Sequence, residues 1–300
     1  MNKSCLIGFL MCSAFSLVVQ AATDGAHITK TISQIERKKG IKRTIQYRPD
    51  GNDFVCVNGK NRYTRALYGG ITDFRIETSD RPVFAAYKPK DSKHICFRLQ
   101  CGNQSIALDS LKFCEARYRA GRRTYRLTDP LLGKGELNIS VLAFPDAEGG
   151  IWRFTMKDMP EGALLHCYIS EIRAKNLSRN GDMGADRADS FDAPQLPKEQ
   201  KHYKLSLDGT TAYIVVEDQE LRLPALVEGT SLYDKSEKWR SEIESSLQIS
   251  TPDPYFNPLG GALAAAADGI WDGKIWLHGA IGWRSQLNGW RAAYIGDFIG

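Results

Sequence analysis

From about residue 44 to 220 the chain is a run of short apolar/polar alternations separated by turn residues, and nothing else in it restricts the fold so strongly. Lys112 to Arg119 mostly alternates polar and apolar side chains, the period of a strand with one buried face. Thr44–Arg48, Asp53–Val57, His94–Cys101, Arg123–Leu127, Glu136–Phe144, Ile151–Met156, Leu164–Ile172, His202–Leu207 and Ala212–Val216 extend the series. Pro49-Asp50-Gly51-Asn52 and Gly102-Asn103 read as turns. Asn58-Gly59 and Asp208-Gly209 predict hairpins, because these residues tolerate positive φ. About ten strands with almost no helical period predict a mainly β fold, a large antiparallel β-sandwich.

Near residue 230 the pattern changes, and a protease is expected to cut there. Trp239, Ile243 and Leu247 recur at i, i+4 and i+8 within Asp234–Gln248, which predicts a linker helix laid on the sandwich by that stripe. Thr251-Pro252-Asp253-Pro254-Tyr255 is an extended connector, in which Asp253 is expected to make a turn or cap. Asn257 can cap a second helix, Leu259–Trp271, with Pro258 at its first position. Its Gly and Ala residues allow a neighbouring helix to come close, and Leu263, Ala267, Ile270 and Trp271 form the apolar stripe.

The compartment is read from the amino terminus. A basic start, the apolar run 5–19 and the small residues before position 22 predict a signal peptide over residues 1–21. The mature protein is then periplasmic or secreted, with no stable membrane insertion after cleavage. Five cysteines remain: Cys56, Cys96, Cys101, Cys114 and Cys167. They are too few for a disulfide scaffold and read mostly as buried thiols. His94, His166 and His202 make no zinc pattern with them, so neither a metal nor a cofactor is expected. Aspartates across 181–192 allow a calcium loop or a solvated loop. A net charge of +5 spread over 40 basic and 35 acidic residues, without a nucleic-acid motif, argues against nucleic-acid binding.

Four of six tryptophans, Trp271, Trp276, Trp283 and Trp290, fall within the last thirty residues. Two Gly-Trp-Arg triplets begin at Gly282 and Gly289. Indoles stack on pyranose faces and guanidinium groups donate paired hydrogen bonds, so His278, Trp283, Arg284, Trp290 and Arg291 are candidate substrate-binding residues. The alternative is a tryptophan core braced by ion pairs. Asp268 and Asp272, four apart on the expected helix, and Asp297 are weak catalytic candidates, since like charges so spaced are usually solvated.

NRYTRALYGG at 61–70, AGRRTYRLTDPLLGKGELNISVLAF at 120–144, NGDMGAD at 180–186, NPLGGALAAAADGIW at 257–271 and HGAIGWRSQLNGWRAAY at 278–294 occur in this order. Together they resemble a family of large bacterial six-hairpin glycosidase-like proteins. The resemblance implies an N-terminal β-sandwich (22–230), a linker helix (231–250) and the truncated start of an (α/α)6 barrel (251–300). It implies a glycoside hydrolase for polysaccharide breakdown whose catalytic carboxyl pair lies beyond Gly300, with carbohydrate as partner. A non-catalytic carbohydrate-binding or scaffold protein is the competing reading. Arg62, Arg65 and Tyr68 of the first motif are expected to lock a strand edge or a domain interface.

Overall fold

The computed structural model describes residues 46–60, 63–88, 93–171 and 202–278, with 286, 289 and 292. The expected signal peptide and the 181–192 aspartates lie outside the described residues. In chain order the strands are β1 (Arg48–Asp50), β2 (Asp53–Val57), β3 (Tyr63–Tyr68), β4 (Arg75–Ser79), β5 (Phe84–Tyr87), β6 (Lys93–Cys101), β7 (Gln104–Ala107) and β8 (Phe113–Arg119). They continue with β9 (Arg122–Thr128), β10 (Glu136–Ala143), β11 (Gly149–Lys157), β12 (Leu164–Glu171), β13 (His202–Ser206), β14 (Thr211–Glu217) and β15 (Glu220–Arg222). Two helices follow, α1 (Leu226–Ser246) and α2 (Leu259–Asp268).

The strands form two sheets, antiparallel throughout: β1-β2-β8-β9-β10-β11-β14-β15, and β13-β12-β6-β5-β4-β3 with β7 on β6. The chain is therefore a large antiparallel β-sandwich followed by helix. On β8 and β9 every second residue is buried: Cys114, Ala116 and Tyr118, then Arg123, Tyr125 and Leu127. Between the sheets Phe84 meets Phe97, Tyr125 and Trp152 edge-on at 5.6–5.7 Å, a geometry aromatic quadrupoles favour. The thiols of Cys56, Cys114 and Cys167 are buried, and all five cysteines of the described chain are free.

Both predicted hairpins at Asn58-Gly59 and Asp208-Gly209 are instead crossings between the sheets. β2 pairs with β8 whereas β3 pairs with β4, and β13 pairs with β12 whereas β14 pairs with β11. Asn58, at φ +50°, donates its N–H to Cys114 O at 2.8 Å and accepts the Cys114 N–H on Oδ1 at 2.9 Å, ending the ladder. Gly59 then passes Asp80 so closely that a Cβ would lie 2.3 Å from that residue's own Cβ. Positive φ turns the chain locally but does not choose its next partner. The need to bury both strands' apolar faces against one core does.

A charged pair is buried inside the sandwich. Arg123 is 0% exposed, although it occupies an inward position of β9. Its Nη2 donates to Tyr47 Oη at 2.7 Å and Ser79 O at 2.9 Å, and Asp80 stands 3.9 Å away. Tyr125 Oη donates to Ser79 O at 2.7 Å. A buried guanidinium persists only with such partners. Arg81 reinforces the same region by donating to Gly59 O, Asp109 O and Leu111 O at 2.9–3.0 Å.

Helix α1 begins earlier than the sequence pattern predicts and presents a different face. Its buried residues are Gly229, Tyr233, Ser236 and Arg240, not the Trp239–Ile243–Leu247 stripe. It lies on the outer face of the larger sheet, where Leu142, Ile151, Tyr213 and Val215 form a buried apolar cluster with Tyr233 and polar groups flank that cluster. Tyr233 and Ser140 share a hydroxyl hydrogen bond of 2.7 Å, Glu237 pairs with Arg122 and Glu244 with Arg119, each at 2.7 Å. Arg240 sits between Glu237 and Glu244, each at 2.7 Å. The sheet's outer face mixes apolar and charged side chains, so the helix face seated on it combines Tyr233 with the ion-paired Glu237, Arg240 and Glu244, and the Trp239–Ile243–Leu247 stripe is left for α2.

Helix α2 ends at Asp268, short of the predicted Trp271. Asn257 does not cap it: its Oδ1 accepts the Thr251 N–H at 2.8 Å, bracing the connector, and Pro258 holds the cap position. Close helix approach is observed, since a Cβ on Gly260 would lie 2.7 Å from Leu247 O and one on Gly261 2.8 Å from Glu244 Cγ. The buried residues are Gly260, Ala264 and Ala267, while Leu263 is 52% exposed. No helix among the described residues is long and apolar enough to cross a membrane.

Candidate functional site

Beyond α2 the chain folds back on itself. Trp271 and Trp276 form an antiparallel bridge, Gly273 turns at φ +92°, and Asp272 Oδ1 accepts the N–H groups of Lys274 and Ile275 at 2.9 and 2.8 Å. Asp272 is thus a turn residue and does not share a helical face with Asp268, because the helix has already ended. The turn brings the indoles of Trp271 and Trp276 to 4.5 Å with a 48° tilt. Together with Trp239, Glu242, Ile243 and Ser246 of α1, and Asp268, they line an open cleft of about 470 Å³.

Asp268 stands between this cleft and a narrower cavity that reaches Tyr68, Tyr118, Gly121 and Arg240. Burial raises its carboxyl from the ordinary range to about 6. Its place at a helix C-terminus acts in the same direction, because the carbonyl end of the dipole repels negative charge. Its carboxyl has no hydrogen bond or ion pair among the described residues. A half-buried, unpartnered acid in a cleft is costly to maintain for packing alone and marks a candidate functional group.

The expected site residues fare unevenly. His278 is exposed just past the turn and does not line the cleft. Trp283, Arg284, Trp290, Arg291 and Asp297 lie outside the described residues, as does Arg62. Asp253 is buried and accepts the Tyr255 N–H at 2.9 Å, the expected turn. Arg65 lies over Tyr47, Phe54 and Tyr118 at 5.2–5.8 Å. Tyr68 joins the sandwich to α2, where a Cβ on Gly269 would fall 2.3 Å from its ring. Sequence reading did not assign Trp239 and Glu242 to a site. Trp239 was visible as a helical stripe, but only the docked helix shows that the stripe faces a cleft.

Among the described residues no group of three or more His, Cys, Asp or Glu side chains is arranged to hold a metal ion. His94 is buried, its imidazole pulled down to about 4, and its Nδ1 lies 3.1 Å from the Cys96 thiol. Burial likewise pushes Cys96 up to about 12, so the pair is neutral and neither thiolate nor imidazolium is available for chemistry at pH 7.

Residues 89–217, which run from the approach to β6 through β14, match the family described as a domain of unknown function (DUF4450). The match lies in the sandwich and ends before α1. None of the curated proteins matches the chain.

Proposed function

We propose that this protein acts on carbohydrate, as the N-terminal part of a secreted or periplasmic glycoside hydrolase involved in polysaccharide breakdown. The observation that carries the reading is Asp268, a half-buried carboxyl with a raised pKa at the edge of a cleft walled by three indoles. Indole faces suit the flat C–H faces of pyranose rings, and a carboxyl protonated near pH 6 suits donation to a glycosidic oxygen. Glycoside hydrolysis normally requires a second carboxyl group. Glu242 on the same cleft wall is a candidate among the described residues.

The test pairs binding with turnover. Tryptophan fluorescence titration with neutral plant and host oligosaccharides should show a shift that Trp271→Ala weakens about tenfold, the loss of one stacking contact. Reducing-end release by the full-length protein should fall about 10²–10⁴-fold in Asp268→Asn if Asp268 is the general acid. Binding that survives in a protein with no turnover would favour the non-catalytic carbohydrate-binding reading, which rests on the tilted Trp271–Trp276 pair alone. Absence of binding to the whole panel would overturn both.

A further inference from the structure

Helix α1 covers only part of the outer face of the larger sheet. The remainder is a groove of about 370 Å³ across β8–β11, remote in composition from the tryptophan cleft: it contains no tryptophan. Strand register places its residues in rows. Arg117 opposes Thr124, Thr124 opposes Ser140, and Ser140 opposes Arg153. In the next row Arg126 opposes Asn138 and Asn138 opposes Thr155.

Three of the groove's arginines are already neutralised. Arg117 binds Glu115 and Asp50 at 2.8 Å and Asp53 at 3.2 Å. Arg122 binds Glu237 at 2.7 Å, and Arg126 lies 3.4 Å from Glu136 and 3.7 Å from Glu115. Arg153 differs. Its guanidinium lies 3.9 Å from the centroid of the Tyr233 ring, and no carboxylate of the described residues pairs with it. The ring occupies one face of the plane, so the N–H donors at its edge remain for a ligand. Tyr233 is itself fixed by its hydrogen bond to Ser140, which holds the guanidinium in place before any ligand arrives. The hydroxyls of Thr124 and Thr155 supply neutral hydrogen-bonding groups alongside, as does the amide of Asn138, whose Nδ2 also donates to Glu136 Oε1 at 2.8 Å.

We propose that this groove is a second binding site, for a carboxylate-bearing saccharide, with Arg153 gripping the carboxylate and the Thr124–Asn138–Thr155 surface receiving the hydroxyls. A planar carboxylate matches the two-pronged guanidinium edge, and hydroxyl-rich rings match a flat, polar, rigid strand face. The site is independent of the aromatic cleft and of Asp268.

Calorimetric titration with trigalacturonate at low ionic strength, against neutral maltotriose, tests it. Trigalacturonate should bind and maltotriose should bind at least about tenfold more weakly at this face, the worth of one charge-assisted bidentate pair. Arg153→Met should lose about tenfold or more, Arg153→Lys should recover part, and Trp271→Ala should leave trigalacturonate affinity unchanged. Thr124→Val, which leaves the Arg153–Tyr233 stack intact, should weaken binding a fewfold and guards against misfolding of the arginine variants. Equal affinity in Arg153→Met and wild type would overturn the proposal, as would no trigalacturonate binding. Displacement by an equal concentration of inorganic sulfate would reduce the groove to a simple anion site and overturn the saccharide assignment. Failure of the cleft experiment with success here would leave this site standing.

Discussion

At the scale of single residues, the half-buried Asp268 and the buried His94 oppose each other in their effect on stability. Asp268 is raised to about 6, so its ionised form is disfavoured in the native protein relative to the unfolded chain. Its contribution is full below the unfolded value of about 3.9 and is lost as pH rises through 6. His94 is lowered to about 4, so its native form is neutral. Its contribution is full above about 6.5 and is lost as pH falls toward 4. Urea denaturation across pH 4–8 should show Asp268→Asn gaining about 1 kcal/mol at pH 8 and nothing near pH 4, after allowance for the partial exposure of the group. His94→Leu should instead flatten the acid side, by up to about 3 kcal/mol between pH 6.5 and 4. Equal effects at all pH values would contradict both assignments. Neither shift was legible in the sequence, where Asp268 looked like one of two solvated acids and His94 like any residue in a strand. Both depend on what the fold stacks around them.

At the scale of elements, the strands were readable because alternation needs only neighbouring residues to reveal it. The facing of α1 was not. The apolar stripe Trp239–Ile243–Leu247 is real, but it points toward α2 and the cleft, and the sandwich takes Gly229, Tyr233, Ser236 and Arg240. Gly229 shows how tight that seat is: a Cβ there would lie 2.4 Å from Tyr213 Cδ2 and 2.8 Å from its Cβ. Helix propensity favours Gly229→Ala by about 1 kcal/mol, but overlap with a ring anchored close to the backbone costs about 1–3 kcal/mol. Thermal melts should therefore show a net loss of up to about 2 kcal/mol. Gly261→Ala meets only the Cγ of Glu244 and the Ala120 methyl, at 2.8 and 3.0 Å. It should cost less than Gly229→Ala, because the overlap is smaller, but it should not stabilise, since Arg119 and Arg240 hold Glu244 at 2.7 Å and the Ala120 methyl cannot rotate away. A stabilised Gly229→Ala would show that α1 does not sit where described.

At the scale of the molecule, the helices belong with the sandwich more closely than the change of pattern near residue 230 suggests. Arg119 and Arg122 reach Glu244 and Glu237 of α1, and Gly261 of α2 lies against Ala120 of the β8–β9 turn. Limited proteolysis should consequently spare residues 226–268 along with the sandwich and leave a fragment that ends beyond Asp268. A dominant cut at about residue 230 would restore the looser arrangement that the sequence pattern implies. The sequence by itself determined the class of fold, the strand-rich span, the switch to helix and the turn at Asp253, because each is a local or short-period property of the chain. It did not determine which strands share a sheet after Asn58-Gly59 and Asp208-Gly209, which face of α1 is buried, or that Trp239, Asp268, Trp271 and Trp276 meet in one cleft. Those follow from contacts between residues distant in the chain, and only burial of both sheets around one core decides them.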